Sequence, residues 1–242
     1  MKSNKYEIGG ITMNYVVESY ENYQEENRLT TNNARKIEFL TTTRVFKEVI
    51  GAKSKILDCA AGTGIYAFWL ADRGHDVTAT DITPRHIDII NSTLFTKEYS
   101  MNTKVLDATD MSCFGDESFD VVLNMGPFYH LTDENKREKC LKECLRVLKK
   151  GGLLITAYIP RYFVFQYIAI RDEKYLDEHL AKQIVETGVL KHDDEKCFWT
   201  DTYYSSKEEM EFIYEKERIE KRHLPASDYH AAFGKYPCCI CS

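Results

Sequence analysis

The chain has 242 residues and a formal net charge of −6, and no stretch approaches the roughly 18 consecutive apolar residues that cross a bilayer. That length allows one domain with an insertion, and the acidic balance argues against a nucleic-acid-binding surface spread over the whole molecule. The opening Met1-Lys-Ser-Asn-Lys-Tyr-Glu lacks a signal-peptide apolar region, so a cytoplasmic protein with no membrane partner is expected. Its 8 cysteines then read as reduced thiols, not as a disulfide framework. Cys140 and Cys144 share one helical face, where thiols serve as small hydrophobes. Cys238, Cys239 and Cys241 offer soft-metal ligands, but no His or Cys cluster stands with them at a zinc spacing, and no metal is expected.

Taken in order, the first 50 residues read as helical and rich in tyrosine, with Tyr6, Tyr15, Tyr20 and Tyr23 followed by Arg28. From Asn33 the spacing of Ile37, Leu40, Val45, Phe46, Val49 and Ile50 predicts an amphipathic helix ending before Gly51. Standing ahead of the first core strand, this segment either folds back over a ligand mouth or packs as a helix pair. Strands and helices then alternate. A strand over Lys55–Asp58 leads through a small-residue loop to a helix from about Ile65 to Arg73, with Gly74 as its stop signal. A second strand, Asp76–Asp81, precedes a helix begun by Thr83-Pro84. The third runs from Thr103 to Leu106 and ends at Asp107. A near-continuous apolar run, Phe119–Met125, has the character of a strand buried on both faces. A helix from about Asp133 to Lys149 is broken by Gly151-Gly152, and Leu153–Tyr158 is the fifth strand.

Short strand–helix units in this rhythm predict an α/β fold, doubly wound and Rossmann-like, with a mostly parallel sheet and helices on both faces. After Pro160 the rhythm stops. Residues 161–204 hold Tyr162, Phe163, Phe165, Tyr167, Tyr175, Phe198, Trp199, Tyr203 and Tyr204 among charges and helical stretches, and read as an aromatic lid insertion. Ser206 and Glu209 then open a helix with a capping signature, and a strand is expected near Arg218–Leu224. The whole is expected to be one domain over 1–242: an N-terminal helical segment (1–50), a cofactor-binding core (51–160), the insertion (161–204) and a C-terminal helix and strand (205–242). The tail from Ala231 shows no alternation, so the sheet is expected to have six strands or a shortened seventh, in a chain cut short relative to its relatives.

Ligands of open parallel sheets bind at the carboxyl ends of the strands. Strand one delivers Asp58 and the loop Ala60-Ala61-Gly62-Thr63-Gly64, and strand two delivers Asp81, a carboxylate suited to ribose hydroxyls. Strand three delivers Asp107-Ala108, able to accept from an adenine amine, and strand four delivers Asn124-Met125-Gly126-Pro127. Any one of these acids is an ordinary helix cap; three in register with a small-residue loop mark an adenosine site. A dinucleotide needs its pyrophosphate cradled by three glycines, and this loop has two, with Asp58 beside it. That carboxylate repels a pyrophosphate and suits a cationic amino group or sulfonium, which favours S-adenosylmethionine over NAD.

Residues 55 to 158 resemble the core of class I S-adenosylmethionine-dependent methyltransferases. The matching pieces are Ile56-Leu-Asp-Cys-Ala-Ala-Gly-Thr-Gly64, Val77-Thr-Ala-Thr-Asp81, Asp107-Ala108, Phe119-Asp-Val-Val122 and Leu145-Arg-Val-Leu-Lys-Lys-Gly-Gly152. More narrowly, Tyr20-x-x-Tyr23, Arg28-Leu29, Glu38-Phe-Leu-Thr-Thr42 and Gly126-Pro-Phe-Tyr-His-Leu131 are similar to a group of bacterial small-molecule-type methyltransferases. Two positions depart from the pattern: Ala60 stands where the family has glycine, and Lys150 where it has proline. The resemblance implies that Asp58, Ala60, Gly62 and Gly64 line the cofactor's methionine part, Asp81 and Ile82 its ribose, and Asp107 and Ala108 its adenine. It places Asn124 and Met125 beside the methionine part and the transferred methyl. Tyr23 and Arg28 would close over the site, Arg28 on the methionine carboxylate.

The implied reaction is in-line methyl transfer to a small-molecule acceptor, leaving S-adenosylhomocysteine. His130 follows strand four at the mouth and is either a base or a packing residue of the loop. Tyr129, Tyr158, Tyr162 and Trp199 are walls of an aromatic acceptor pocket or members of the core. RNA or protein methylation is the alternative; the acidic balance and Asn124-Met-Gly-Pro127, in place of an Asn-Pro-Pro-Tyr pocket, speak against RNA. A non-catalytic cofactor-binding protein is the third reading.

Overall fold

The computed structural model describes residues 7–8, 11–12, 15–23, 25–30, 32–97, 100–162, 177–195, 197, 200–225 and 237–241. A hairpin of β1 (Glu7–Ile8) and β2 (Ile11–Thr12), too short to leave a pattern, precedes α1 (Tyr15–Glu21). A 3-10 turn over Glu25–Thr30 leads into α2 (Asn33–Val49), where the Asn32 side chain accepts the Arg35 N–H as N-cap. Then come β3 (Lys55–Asp58), α3 (Ile65–Ala71), β4 (Asp76–Asp81), α4 (Pro84–Lys97) and β5 (Asn102–Val105). Strand β6 (Phe119–Asn124) is followed by the single turn α5 (Pro127–His130) and by α6 (Glu134–Val147), capped by Asp133.

Strand β7 (Leu148–Thr156) begins earlier than the two glycines suggest. Gly151 and Gly152 lie inside it, at a register irregularity against β6 between Phe119 and Val121. A Cβ on Gly152 would stand 2.8 Å from the Lys149 carbonyl and 2.9 Å from that of Asp120. The glycines therefore permit a close backbone approach within the sheet; they do not break the preceding helix.

Between β7 and the next long helix come β8 (Ile159–Pro160), α7 (Glu178–Thr187), β9 (Val189–Leu190) and β10 (Thr202–Ser205). These three strands form a small sheet in the order β8-β10-β9, with Leu180, Ile184, Leu190 and Tyr204 in a core of their own. Of the expected aromatic lid, Phe163, Phe165, Tyr167, Tyr175, Phe198 and Trp199 lie outside the described residues. Helix α8 (Lys207–Lys216) opens with the expected capping box: Ser206 accepts the Glu209 N–H, and Glu209 accepts the Ser206 N–H.

Strands β11 (Lys221–Pro225) and β12 (Pro237–Cys241) complete a seven-stranded sheet in the order β11-β12-β7-β6-β3-β4-β5. This corrects the expectation of six strands or a shortened seventh. Strand β12 slots antiparallel between β7 and β11 and is hydrogen-bonded on both edges. A strand held that way needs no alternation in sequence, which is why Pro237-Cys-Cys-Ile-Cys241 did not read as one. Strands β7, β6, β3, β4 and β5 run parallel.

Strands β3, β6 and β7 send alternate side chains into two cores. Leu57, Val122 and Leu154 pack with Cys140, Leu141 and Cys144 of α6 on one face. Ile56, Val121, Leu123 and Ile155 pack with Phe46, Ala67, Leu70 and Ile90 on the other. Each such side chain contributes about 1.5–3 kcal/mol on burial, and the two layers fix the strand ends that carry the polar residues. Among the described residues no helix is long and apolar enough to cross a membrane.

Candidate functional site

At the carboxyl ends of the adjacent strands β6, β3, β4 and β5 the structure places Asn124, Asp58, Asp81 and Asp107 in that lateral order. Between β3 and α3 the loop turns on two left-handed glycines, Gly62 with φ 54° and Gly64 with φ 87°. A side chain at either would strain the backbone. Gly64 caps α3, and its N–H returns to the Ala61 carbonyl at 2.9 Å. Ala60 stands where the resemblance expects glycine, and the structure accommodates it from the far side. A Cβ on Gly126 would come within 3.0 Å of the Ala60 methyl, so a glycine after β6 makes room for the one missing from the loop.

Asp81 braces this turn. Its Oδ2 accepts the Gly62 N–H at 2.8 Å, and its Oδ1 accepts the Thr83 N–H at 2.8 Å and faces His86 Nδ1 at 3.2 Å. Asp58 is 2% exposed, takes the Ala60 N–H, and has no hydrogen-bond partner for Oδ2 among the described residues. Burial first, then the neighbouring Asp81, push its carboxyl up to about 7. Asp107 accepts the Thr109 N–H through Oδ1 at 2.8 Å. Ala108 is buried among Met111, Phe119 and Cys140, so its methyl belongs to the core. Ile82 is half-buried beside Asp81, and Met125 packs at the edge of the second core. Asn124 is fully buried, and neither its Oδ1 nor its Nδ2 has a partner among the described residues. Orphaned polar atoms of this kind cost about 1–3 kcal/mol each unless a ligand or water meets them. Asp58 and Asn124, from neighbouring strands, therefore fit a polar, partly cationic ligand.

The N-terminal segment lies across this arrangement. Tyr20 is packed edge-on to His86, with ring centroids 5.6 Å apart, and to His130 at 5.5 Å. Its hydroxyl meets His130 Nε2 at 3.0 Å, while His130 Nδ1 meets the Asp201 carbonyl at 3.0 Å. A carbonyl only accepts, so Nδ1 carries the proton and Nε2 accepts from Tyr20. Burial holds the His130 ring well down, at about 4, so it is neutral at pH 7. Both nitrogens are thus engaged, and any proton reaching His130 in this arrangement passes through Tyr20.

Arg28 donates to Glu25 at 2.6 Å and to both oxygens of Glu38 at 2.8 and 3.0 Å, which fixes its guanidinium beside the loop. Tyr23 is 43% exposed and meets Tyr20 edge-on. Tyr129 donates to the Met125 carbonyl at 2.9 Å, and Tyr158 packs on the core beneath β6 and β7. Tyr162 is 61% exposed. Trp199 lies outside the described residues.

Sequence reasoning missed Tyr20 as a partner of His130, and it missed His86, Glu25, Arg85 and Asp201. His86 is 2% exposed, its Nε2 has no partner among the described residues, and it stands five residues past Asp81; that short spacing was the signal available for it. Arg85 reaches Glu21, Glu26 and the Tyr23 carbonyl. None of these three contacts, nor that of Tyr20 with His130, leaves a trace in local sequence.

Residues 57–156 match the family model described as "Methyltransferase domain". The chain is 30% identical over 148 residues to an uncharacterized methyltransferase, YbaJ, of Bacillus subtilis (strain 168), covering 55% of this chain and 57% of that protein. It is 34% identical over 130 residues to a glycine/sarcosine N-methyltransferase of Aphanothece halophytica, covering 53% and 46%. The chain therefore spans about half the length of these curated relatives. A solved Burkholderia thailandensis 1,6-didemethyltoxoflavin-N1-methyltransferase, with its 1,6-didemethyltoxoflavin and S-adenosylhomocysteine bound, shares the fold at a TM-score of 0.59 and 14% identity, over 93% of this chain and 84% of that one. In the residues matched, the core of this chain is similar to that of methyltransferases, and in fold it is similar to a neighbour that holds S-adenosylhomocysteine.

Proposed function

We propose that the chain transfers a methyl group from S-adenosylmethionine to a small-molecule acceptor, acting as one domain over its length. The observation that carries this reading is the row of Asp58, Asp81 and Asp107 on three adjacent strand ends around a two-glycine loop, with Asp58 Oδ2 lacking a partner among the described residues. Small acceptors are supported by the relative named for glycine and sarcosine and by the neighbour that holds 1,6-didemethyltoxoflavin. When bound, S-adenosylmethionine supplies a methyl group already activated on a sulfonium.

Under this reading the chain supplies placement. Asp58 and the loop Ala60, Gly62 and Gly64 hold the methionine part; Asp81 and Ile82 take the ribose, and Asp107 with the Ala108 backbone the adenine. Asn124 and Met125 border the transferred methyl, and Tyr23 and Arg28 close the N-terminal segment above it. Tyr129 and Tyr158 line the acceptor side with His130, whose neutral ring takes up a proton from the acceptor by way of Tyr20. Proximity and exclusion of water then do most of the catalysis, with no strong base required of an acceptor that is already nucleophilic. Calorimetric titration with S-adenosylhomocysteine tests the cofactor, and a screen of small amines, phenols and thiols for methyl transfer tests the acceptor. Absence of binding at high-micromolar ligand would overturn the reading.

A further inference from the structure

One half-buried charge in the N-terminal segment is unused by this scheme. The Glu25 side chain is 15% exposed. Its Oε1 accepts from Arg28 Nε, while Oε2 is out of water and has no hydrogen-bond partner among the described residues. Burial raises its carboxyl above the ordinary value, and Arg28 opposes the shift. Arg28 meets Glu25 through Nε and Oε1, and its Nη1 is given to Glu38.

Glu25 also rests directly on the loop. Its Cγ lies 3.5 Å, and its Oε1 3.9 Å, from where a Cβ of Gly62 would stand. The absence of a side chain at Gly62 leaves space between this carboxylate and the backbone turn. At the other end of the same loop stands Asp58, 2% exposed, whose Oδ2 also has no hydrogen-bond partner among the described residues. Two carboxylates that each keep one oxygen dry and unmatched beside one glycine turn are costly in isolation. A ligand cation with N–H donors relieves them.

We infer that Glu25 is a cofactor-binding residue whose Oε2 accepts from the α-ammonium of the amino-acid end of S-adenosylmethionine. This rests on the cofactor reading above and deepens it. The N-terminal segment becomes part of the binding site, and Arg28 holds Glu25 in position through its Glu38 anchor.

The test is calorimetry of wild type and Glu25→Gln with three probes: S-adenosylhomocysteine, its analogue lacking the α-amino group, and 5′-methylthioadenosine, which lacks the amino-acid end altogether. Glu25→Gln is expected to weaken S-adenosylhomocysteine ten- to a hundredfold, the cost of a lost charge-assisted contact. Binding of the other two is expected to stay within about twofold, which also shows that the variant is folded. An unchanged affinity for S-adenosylhomocysteine overturns the inference. So does an equal loss for the deaminated analogue, which would place Glu25 on the carboxylate end through Arg28. Failure of wild type to bind any of the three removes the cofactor reading itself, and this inference with it.

Discussion

Asp58 carries a proton balance that a bound cation must tip. Its carboxyl stands at about 7, raised by burial and by Asp81 against the pull of the Ala60 N–H. A carboxyl raised above its unfolded value contributes stability that is full below about pH 4 and is lost as pH rises through about 7. A cation placed beside it favours the ionised form instead. Binding of S-adenosylhomocysteine, whose α-ammonium is positive at neutral pH, is therefore expected to release protons near pH 7. Its affinity should rise from about pH 6 to about pH 8 and then level off. Titrations in buffers of different ionisation enthalpy read the released proton directly, and Asp58→Asn should abolish both effects. A wild-type affinity flat across that range would show that no cation sits by Asp58. Asp81 makes a different prediction, because it serves the fold and the ligand at once. Asp81→Ala strands the Gly62 and Thr83 N–H groups and the His86 ring. Urea unfolding should show a loss of about 2 kcal/mol or more, and calorimetry on the folded fraction a further weakening of the cofactor by about 1–3 kcal/mol. Unchanged affinity would put the ribose elsewhere.

At the scale of elements, the N-terminal segment is fastened at two points. Arg85 at the start of α4 gives its guanidinium to Glu26 and the Tyr23 carbonyl and its backbone N–H to Glu21, and Tyr20 reaches His130 after β6. The Arg85 clasp is about one-third exposed on both sides, so it is worth at most about 1 kcal/mol to global stability. Its effect should appear locally. Arg85→Ala is expected to speed limited proteolysis within residues 15–30 several-fold while the melting temperature barely moves. Equal proteolysis rates would mean that α1 and the 3-10 turn are held by Val17 and Leu29, which are buried, and not by the clasp. The same elements show where sequence reading stops. The ends of α2, β3, β4 and α8 were legible because a cap, a glycine or a polar residue sits beside an apolar run. The meeting of Tyr20 with His130 was not, since 110 residues separate them and nothing local encodes the pairing. The sequence left His130 as either a base or a packing residue of the loop, and in the structure both of its nitrogens are engaged.

For the whole molecule, the sheet separates stability from placement of the site. Ile56 and Leu57 are neighbours in β3, both fully buried, and they face opposite cores. Asp58 follows them directly, so the strand that anchors both layers also aims the carboxylate. That much was readable from Lys55-Ile-Leu-Asp58, because a short apolar run ended by an acid can only be a strand end in a parallel sheet of this rhythm. What surrounds it was not readable: the β12 insertion, the small sheet of β8, β9 and β10, and the glycine at 126 that makes room for Ala60 all depend on contacts between distant segments. If the two cores hold β3 as one rigid piece, a cavity on either face should cost stability without moving the carboxylate. Ile56→Ala and Leu57→Ala are each expected to lower the unfolding free energy by about 2–5 kcal/mol in urea titration. Under conditions where both variants remain folded, S-adenosylhomocysteine should bind within about threefold of wild type, since neither side chain reaches the ligand. If affinity instead fell in step with stability, from either face, the strand end would be soft, and the row of acids would take its geometry from the ligand as much as from the fold.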